Sequence, residues 1–104
     1  LAGWQVKKMM ALAATELANL SVGSMAADAN LSRDHFSRAF RMSSGVSPRE
    51  WLLQQKMSVA CERLQKTDCS VEQIAAHLGY RTSSQFCRVF RARFGVSPQA
   101  YRRA

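Results

Sequence analysis

The chain has 104 residues, enough for one small domain or for two very small halves that share a core. Apolar residues make up 47% of it, sufficient for that core, while a formal charge of +8 and a pI near 10.3 suit a polyanionic partner, either nucleic acid or an acidic membrane surface. Its apolar runs break within a few residues, which excludes a signal peptide or membrane span, and three cysteines without a Cys-x-x-Cys pair argue against a disulfide framework or a zinc knuckle.

Apolar spacing is helical throughout and nothing alternates at period two for long, so an all-α fold of about seven helices is expected. The first helix runs from about Trp4 to Leu17, with Val6, Met9, Met10, Ala13 and Leu17 on one side. Ser21 caps a short helix that ends near Ala29. Asn30 then supplies the left-handed residue of a tight turn, a conformation asparagine tolerates better than most. Ser32 caps a helix over Arg33 to Ser43, and Gly45 stops it. Ser47-Pro48-Arg49-Glu50 opens a long helix, with the serine as N-cap and proline in the first turn, and nothing breaks it before about Lys66. Ser70 caps the next short helix, with Gln73 placed to complete a capping box, and this helix ends near Leu78. Gly79 makes the turn, Thr82 caps Ser83 to Phe94, Gly95 stops it, and Ser97-Pro98 starts a last short helix.

The second half of this order repeats the first. Phe36 to Trp51 reads FSRAFRMSSGVSPREW and Phe86 to Tyr101 reads FCRVFRARFGVSPQAY, a constant offset of fifty. Upstream, Ser21-Val22-x-x-Met25-Ala26-Ala27 matches Ser70-Val71-x-x-Ile74-Ala75-Ala76 at an offset of forty-nine. Two copies are too few for a stacked repeat array. The expected organisation is two helix-turn-helix subdomains, residues 1–46 and 67–104, joined by a linker helix over 47–66.

In the longer helix of each copy, Phe36, Ala39 and Phe40, and Phe86, Val89, Phe90 and Phe94, form an apolar stripe expected to be core. The opposite face shows Arg33, Asp34, Ser37, Arg38 and Arg41 in the first copy, and Ser83, Ser84, Cys87, Arg88 and Arg91 in the second. Small residues near the helix start let it enter a major groove, where arginines a turn later can fork onto guanine O6 and N7. A single exposed arginine is ordinarily just solvated; the pairing of Arg38 with Arg88 and of Arg41 with Arg91, in a chain whose last acidic residue is Glu72, favours nucleic-acid contact. Asp34 either accepts from cytosine N4 or orients Arg38. Cys87 either touches a thymine methyl or is simply exposed. His35 is a phosphate contact at most, since His35 and His77 have no metal-ligand spacing, and Cys61 and Cys69 read as a filler and a loop thiol.

No catalytic set, phosphate-binding glycine loop, metal motif or cofactor site emerges, so an enzyme is not expected. The rival to DNA binding is a basic helical interaction module meeting acidic protein or a membrane surface. That rival would expose large apolar residues beside its cations, whereas the phenylalanines here are needed inside.

Ile74-Ala75-x-x-Leu78-Gly79-Tyr80, Phe86-x-Arg88-x-Phe90-Arg91 and Gly95-x-Ser97-Pro98-x-x-Tyr101-Arg102 together resemble the signature of the AraC-type bacterial transcription regulators, and the resemblance covers nearly the whole chain, more loosely in the first copy. It implies a DNA-binding domain of two helix-turn-helix units tied by a linker helix and appended to a sensory or dimerisation domain, most often in an activator. A start at Leu1 fits such a fragment. Carried over by position, base-reading falls to Arg33, Asp34, Ser37, Arg38, Ser83, Ser84, Cys87 and Arg88, and phosphate contact to Ser32, His35, Arg41, Arg81, Gln85 and Arg91. The expected partners are double-stranded DNA and, in the full-length protein, RNA polymerase. Neither a membrane nor a cofactor is expected. The fragment should be monomeric and cytoplasmic, on the nucleoid.

Overall fold

The computed structural model describes Lys7, Lys8, Met10, Ala11 and residues 17–104. Among these residues there is no strand; six α-helices follow a 3-10 turn at Leu17–Asn19. They are α1 (Val22–Asp28), α2 (Arg33–Ser44), α3 (Pro48–Lys66), α4 (Val71–His77), α5 (Ser83–Phe94) and α6 (Pro98–Arg103). The expected first helix lies largely outside the described residues; Lys7, Lys8, Met10 and Ala11 are helical, but Leu17 is already in the 3-10 turn, and Met10, expected on the apolar side, is 62% exposed. The chain forms two compact units, one ending at Gln55 and the other beginning at Lys56, so the division falls inside α3.

Helix starts are set by side chains that satisfy otherwise orphaned backbone N–H groups. Ser70 Oγ accepts from Gln73 N at 3.1 Å while Gln73 Oε1 accepts from Ser70 N at 2.9 Å, the expected capping box. The first unit has one too: Ser21 Oγ accepts from Ser24 N at 3.1 Å, and Ser24 Oγ accepts from Ser21 N at 3.0 Å. Serine at this third position replaces the Glu or Gln that usually closes the box, which is why spacing alone did not point to it. Ser47 Oγ accepts from Glu50 N, and Ser97 Oγ from Ala100 N, both at 3.1 Å.

The short turn between the helices of each unit passes through a single left-handed residue, Asn30 at φ 60° and Gly79 at φ 87°. Behind it, Leu31 N donates to Ala26 O and Tyr80 N to Ala75 O, each at 3.0 Å, so both turns satisfy the carbonyl end of the preceding helix in the same way.

In the first unit Met25, Ala26, Phe36, Phe40 and Leu52 are buried, with the Trp51 ring edge-on to Phe40 at 5.8 Å. In the second, Met57, Leu64, Ile74, Leu78, Phe86 and Phe90 are buried, with Tyr101 edge-on to Phe90 at 5.5 Å. Tyr80 packs on Phe86 and carries the Lys56 ammonium 5.1 Å from its ring centre. Phe94 departs from expectation: it shares the helical stripe of Phe86 and Phe90 but remains 41% exposed, with its ring 4.6 Å from that of Phe90.

Arg102 is the second departure, because it belongs to a segment that reads as a cationic field yet its guanidinium closes the end of α3. Its Nε donates to Leu64 O at 3.0 Å, and its Nη2 donates to Thr67 O at 3.2 Å and to Arg63 O at 3.4 Å. A cation at a helix C-terminus also complements the helix dipole. Beside it, Arg63 Nη2 lies 2.8 Å from His77 Nε2, and the guanidinium can only donate.

Replacing Arg102 by alanine should therefore lower stability by about 1.5–3 kcal/mol in urea denaturation, the range for hydrogen bonds to a charged group. Arg102→Lys should recover only part of this, since an ammonium lacks the planar fork that serves several carbonyls. Equal stability of the alanine variant and the parent would show that water caps the helix as well.

Candidate nucleic-acid interface

Each unit offers one long helix whose start is pinned. Ser32 Oγ accepts from His35 N at 3.2 Å at the start of α2, and Thr82 Oγ1 accepts from Gln85 N at 3.0 Å at the start of α5. Gln85 returns the bond, its Oε1 accepting from Arg81 N at 3.1 Å, so the side chain lies across the helix start with its amide N–H groups still available.

The buried phenylalanines set the roll of each helix. At about 100° per residue, Asp34, Arg38 and Arg41 then fall within a band of about 60° on the side away from Phe36 and Phe40, and Ser84, Arg88 and Arg91 repeat it on α5. All six are exposed. His35 and Gln85 sit on one shoulder of that band, also exposed, while Ser37 and Cys87 sit on the other, half-buried. Ser32 and Arg81 are exposed beside the helix starts. The structure thus gathers Asp34, Arg38 and Arg41, flanked by His35 and Ser37, on one side of α2, and Ser84, Arg88 and Arg91, flanked by Gln85 and Cys87, on one side of α5.

Two positions differ from the simple picture. Arg33 is exposed, but its stem runs back beside α1: a Cβ placed on Gly23 would stand 3.9 Å from Arg33 Cδ. Its counterpart Ser83 is half-buried. Asp34 is exposed and forms no ion pair with Arg38 among the described residues.

Electrostatics sharpen the account of Cys87. Burial, and then the nearby Glu72 carboxylate, push its thiol above the usual range, so it is a neutral, weakly polar group at physiological pH. Glu72, on α4, was not among the residues singled out by sequence; its only signal there was its place as the last acid in the chain. Among the described residues no group of three or more His, Cys, Asp or Glu side chains could hold a metal ion, and no helix is long and apolar enough to cross a membrane.

Residues 25–104 match a family described as a helix-turn-helix domain. Over 84 residues the chain is 38% identical to the regulatory protein PocR of Salmonella typhimurium, covering 81% of this chain and 28% of that protein. It is 35% identical over 86 residues to the transcriptional activator NphR of a Rhodococcus species, covering 83% and 25% respectively. The chain therefore spans under a third of these relatives. Among solved structures it resembles the DNA-binding domain of the transcriptional factor AdpA in complex with a target DNA, with 34% identity, a TM-score of 0.85, and coverage of 94% of this chain and 89% of that one.

The pKa of Cys87 gives a direct check on this surface. A raised value means less thiolate at any given pH than in a free cysteine, so alkylation by iodoacetamide, followed by peptide mass mapping, should reach half its maximal rate at higher pH than in a model cysteine peptide. A midpoint at or below that of the peptide would remove both burial and Glu72 from the surroundings of this thiol.

Proposed function

This chain belongs to the AraC-type helix-turn-helix family of transcriptional regulators, and we propose that it reads double-stranded DNA sequence-specifically, each unit laying its long helix in a major groove. One observation carries this reading. Arg38 with Arg41, and Arg88 with Arg91, stand on the same exposed face of α2 and α5, opposite a buried phenylalanine pair, and none of the four holds an ion pair among the described residues. The AdpA domain, 34% identical and seen with its target DNA, supports it.

In this proposal Arg38 and Arg88 present guanidinium forks to guanine O6 and N7, while Arg41 and Arg91 meet phosphates. Ser37, Ser83, Ser84 and the neutral Cys87 are small enough to let the backbone approach base edges, and Arg33 adds a second cation at the start of α2. Asp34 is repelled by phosphate and suits cytosine N4. Ser32, His35, Arg81 and Gln85 surround helix starts, where backbone N–H groups and the dipole favour phosphate. Nothing in this chemistry calls for a cofactor or a catalytic group.

Residues 1–46 and 67–104 are proposed as the two readers and 47–66 as their link. The nineteen residues of α3 span about 28 Å, of the order of the 34 Å pitch of one DNA turn. One chain, as a monomer, then reads two unlike boxes about a turn apart, because the two reading faces differ. In the whole regulator, working in the cytoplasm on the nucleoid, the bound domain would stand where RNA polymerase can meet it; the similarity to a protein named as an activator supports this.

Anisotropy titrations on matched and scrambled duplexes separate the roles. Arg88→Ala should lose about 1–3 kcal/mol on the preferred site and flatten preference at one or two positions, whereas Arg91→Ala should weaken all sequences alike. Equal losses on both duplexes for both variants would overturn the assignment.

The two-box reading is tested on the DNA itself. About 5 extra base pairs between the boxes turn one of them to the opposite side of the duplex, and affinity should drop to that of a single box. Unchanged binding would mean that only one unit reads.

A further inference from the structure

The outward side of α5 is not uniformly polar. Gln85, Arg88, Val89 and Ala92, on successive turns of the helix, line one open recess of about 430 Å³. It adjoins Arg88 on the side away from Cys87, because Val89 and Cys87 stand about 100° to either side of that arginine around the helix axis. Val89 is half-buried and Ala92 exposed, so two aliphatic side chains border a guanidinium that holds no ion pair among the described residues.

The side-chain polar groups of these four residues are set to donate. Arginine has no acceptor. Glutamine ordinarily has one, but Gln85 Oε1 already accepts from Arg81 N at 3.1 Å, and a reversed amide would set N–H against N–H there. The amide is therefore held with Nε2 free. One of its N–H groups is left for phosphate and the other for an acceptor at the recess.

An acceptor beside an apolar group describes one base edge. In the major groove only thymine joins an acceptor, O4, to a methyl group on C5; guanine offers two acceptors without a methyl, and cytosine and adenine present an exocyclic amine that a donor cannot receive. The first unit is built differently. Its counterparts are His35, Arg38, Ala39 and Met42, so an imidazole replaces the held amide and a thioether side chain, 89% exposed, replaces the Ala92 methyl.

We propose that Gln85, Val89 and Ala92 form a thymine-reading subsite of the second unit, with the C5-methyl against Val89 and Ala92 and O4 accepting from Gln85 Nε2, next to the guanine read by Arg88. The inference rests on the DNA-reading proposal. It gives the second box a thymine beside its guanine.

The test starts from the duplex that the parent chain selects from a random pool, with each thymine of the second box then replaced in turn and binding followed by anisotropy. At one thymine, uracil, which keeps O4 but lacks the methyl, should bind about fourfold more weakly, the cost of one methyl group left out of contact. At the same place 5-methylcytosine, which keeps the methyl but turns O4 into an amine, should lose about 2- to 12-fold. Gln85→Ala should remove the 5-methylcytosine penalty and spare the uracil penalty. Ala92→Gln, a substitution at an exposed position that fills the recess, should remove the uracil penalty, with folding of both variants checked by urea denaturation. A second box without a thymine beside its guanine, equal binding of thymine and uracil throughout that box, or a uracil penalty unmoved by Ala92→Gln would overturn the subsite while DNA reading stands. A pool that yields no enriched motif would overturn both.

Discussion

Two phenylalanines one turn apart hold each reading helix, and the direction of every functional side chain follows from their burial. Phe36, Phe86 and Phe90 have no exposed surface and Phe40 has 3%, so each ring contributes about 1.5–3 kcal/mol relative to exposure. Rolling a helix by a single residue, about 100°, would expose a pair worth roughly 3–6 kcal/mol, against a total stability of about 5–15 kcal/mol for a domain of this class. The helix cannot roll. Its arginines at the opposite face are exposed and hold no ion pair among the described residues.

The repeated phrase is then understood as one packing unit. The glycine that ends each reading helix turns the chain, the serine caps the next helix, and the aromatic four residues after that serine drops edge-on against the second phenylalanine. Trp51 N donates to Ser47 O at 3.0 Å and Tyr101 N to Ser97 O at 2.9 Å, the same first helical bond in both copies. What the two copies share is this internal frame; what they do not share lies outside it. Arg33 lies beside Gly23 in one unit, whereas the positions that correspond to them in the other carry Ser83 and Glu72.

The frame was legible in the sequence because it is made of local rules: caps three residues from their targets, one left-handed turn residue, apolar spacing of three and four. The exposure of Arg38, Arg41, Arg88 and Arg91 was legible for the same reason. Phe94 was misplaced because a stripe can outrun the core beneath it: its ring meets Phe90 and Tyr101 yet stays 41% exposed. Ser24 was missed because serine is a rarer closure of the capping box than Glu or Gln. The partners of Arg102 and the closeness of Glu72 to Cys87 had no signature at all, since each joins residues from different helices through side chains whose spacing carries no period.

The bond from Arg102 to Leu64 spans thirty-eight residues, which gives the fold a clock. A ribosome adds about 5–20 residues per second, so the carbonyls at the end of α3 are made roughly 2–8 s before the side chain that closes them. Through that interval the helix end is held by what lies close in the chain, chiefly the Thr67 hydroxyl donating to Arg63 O at 2.6 Å. The end of α3 in a newborn chain therefore lacks the Arg102 guanidinium until α6 has been made. Synonymous codons that slow synthesis between Thr67 and Arg102 would lengthen the life of that half-closed state without changing a single residue of the protein.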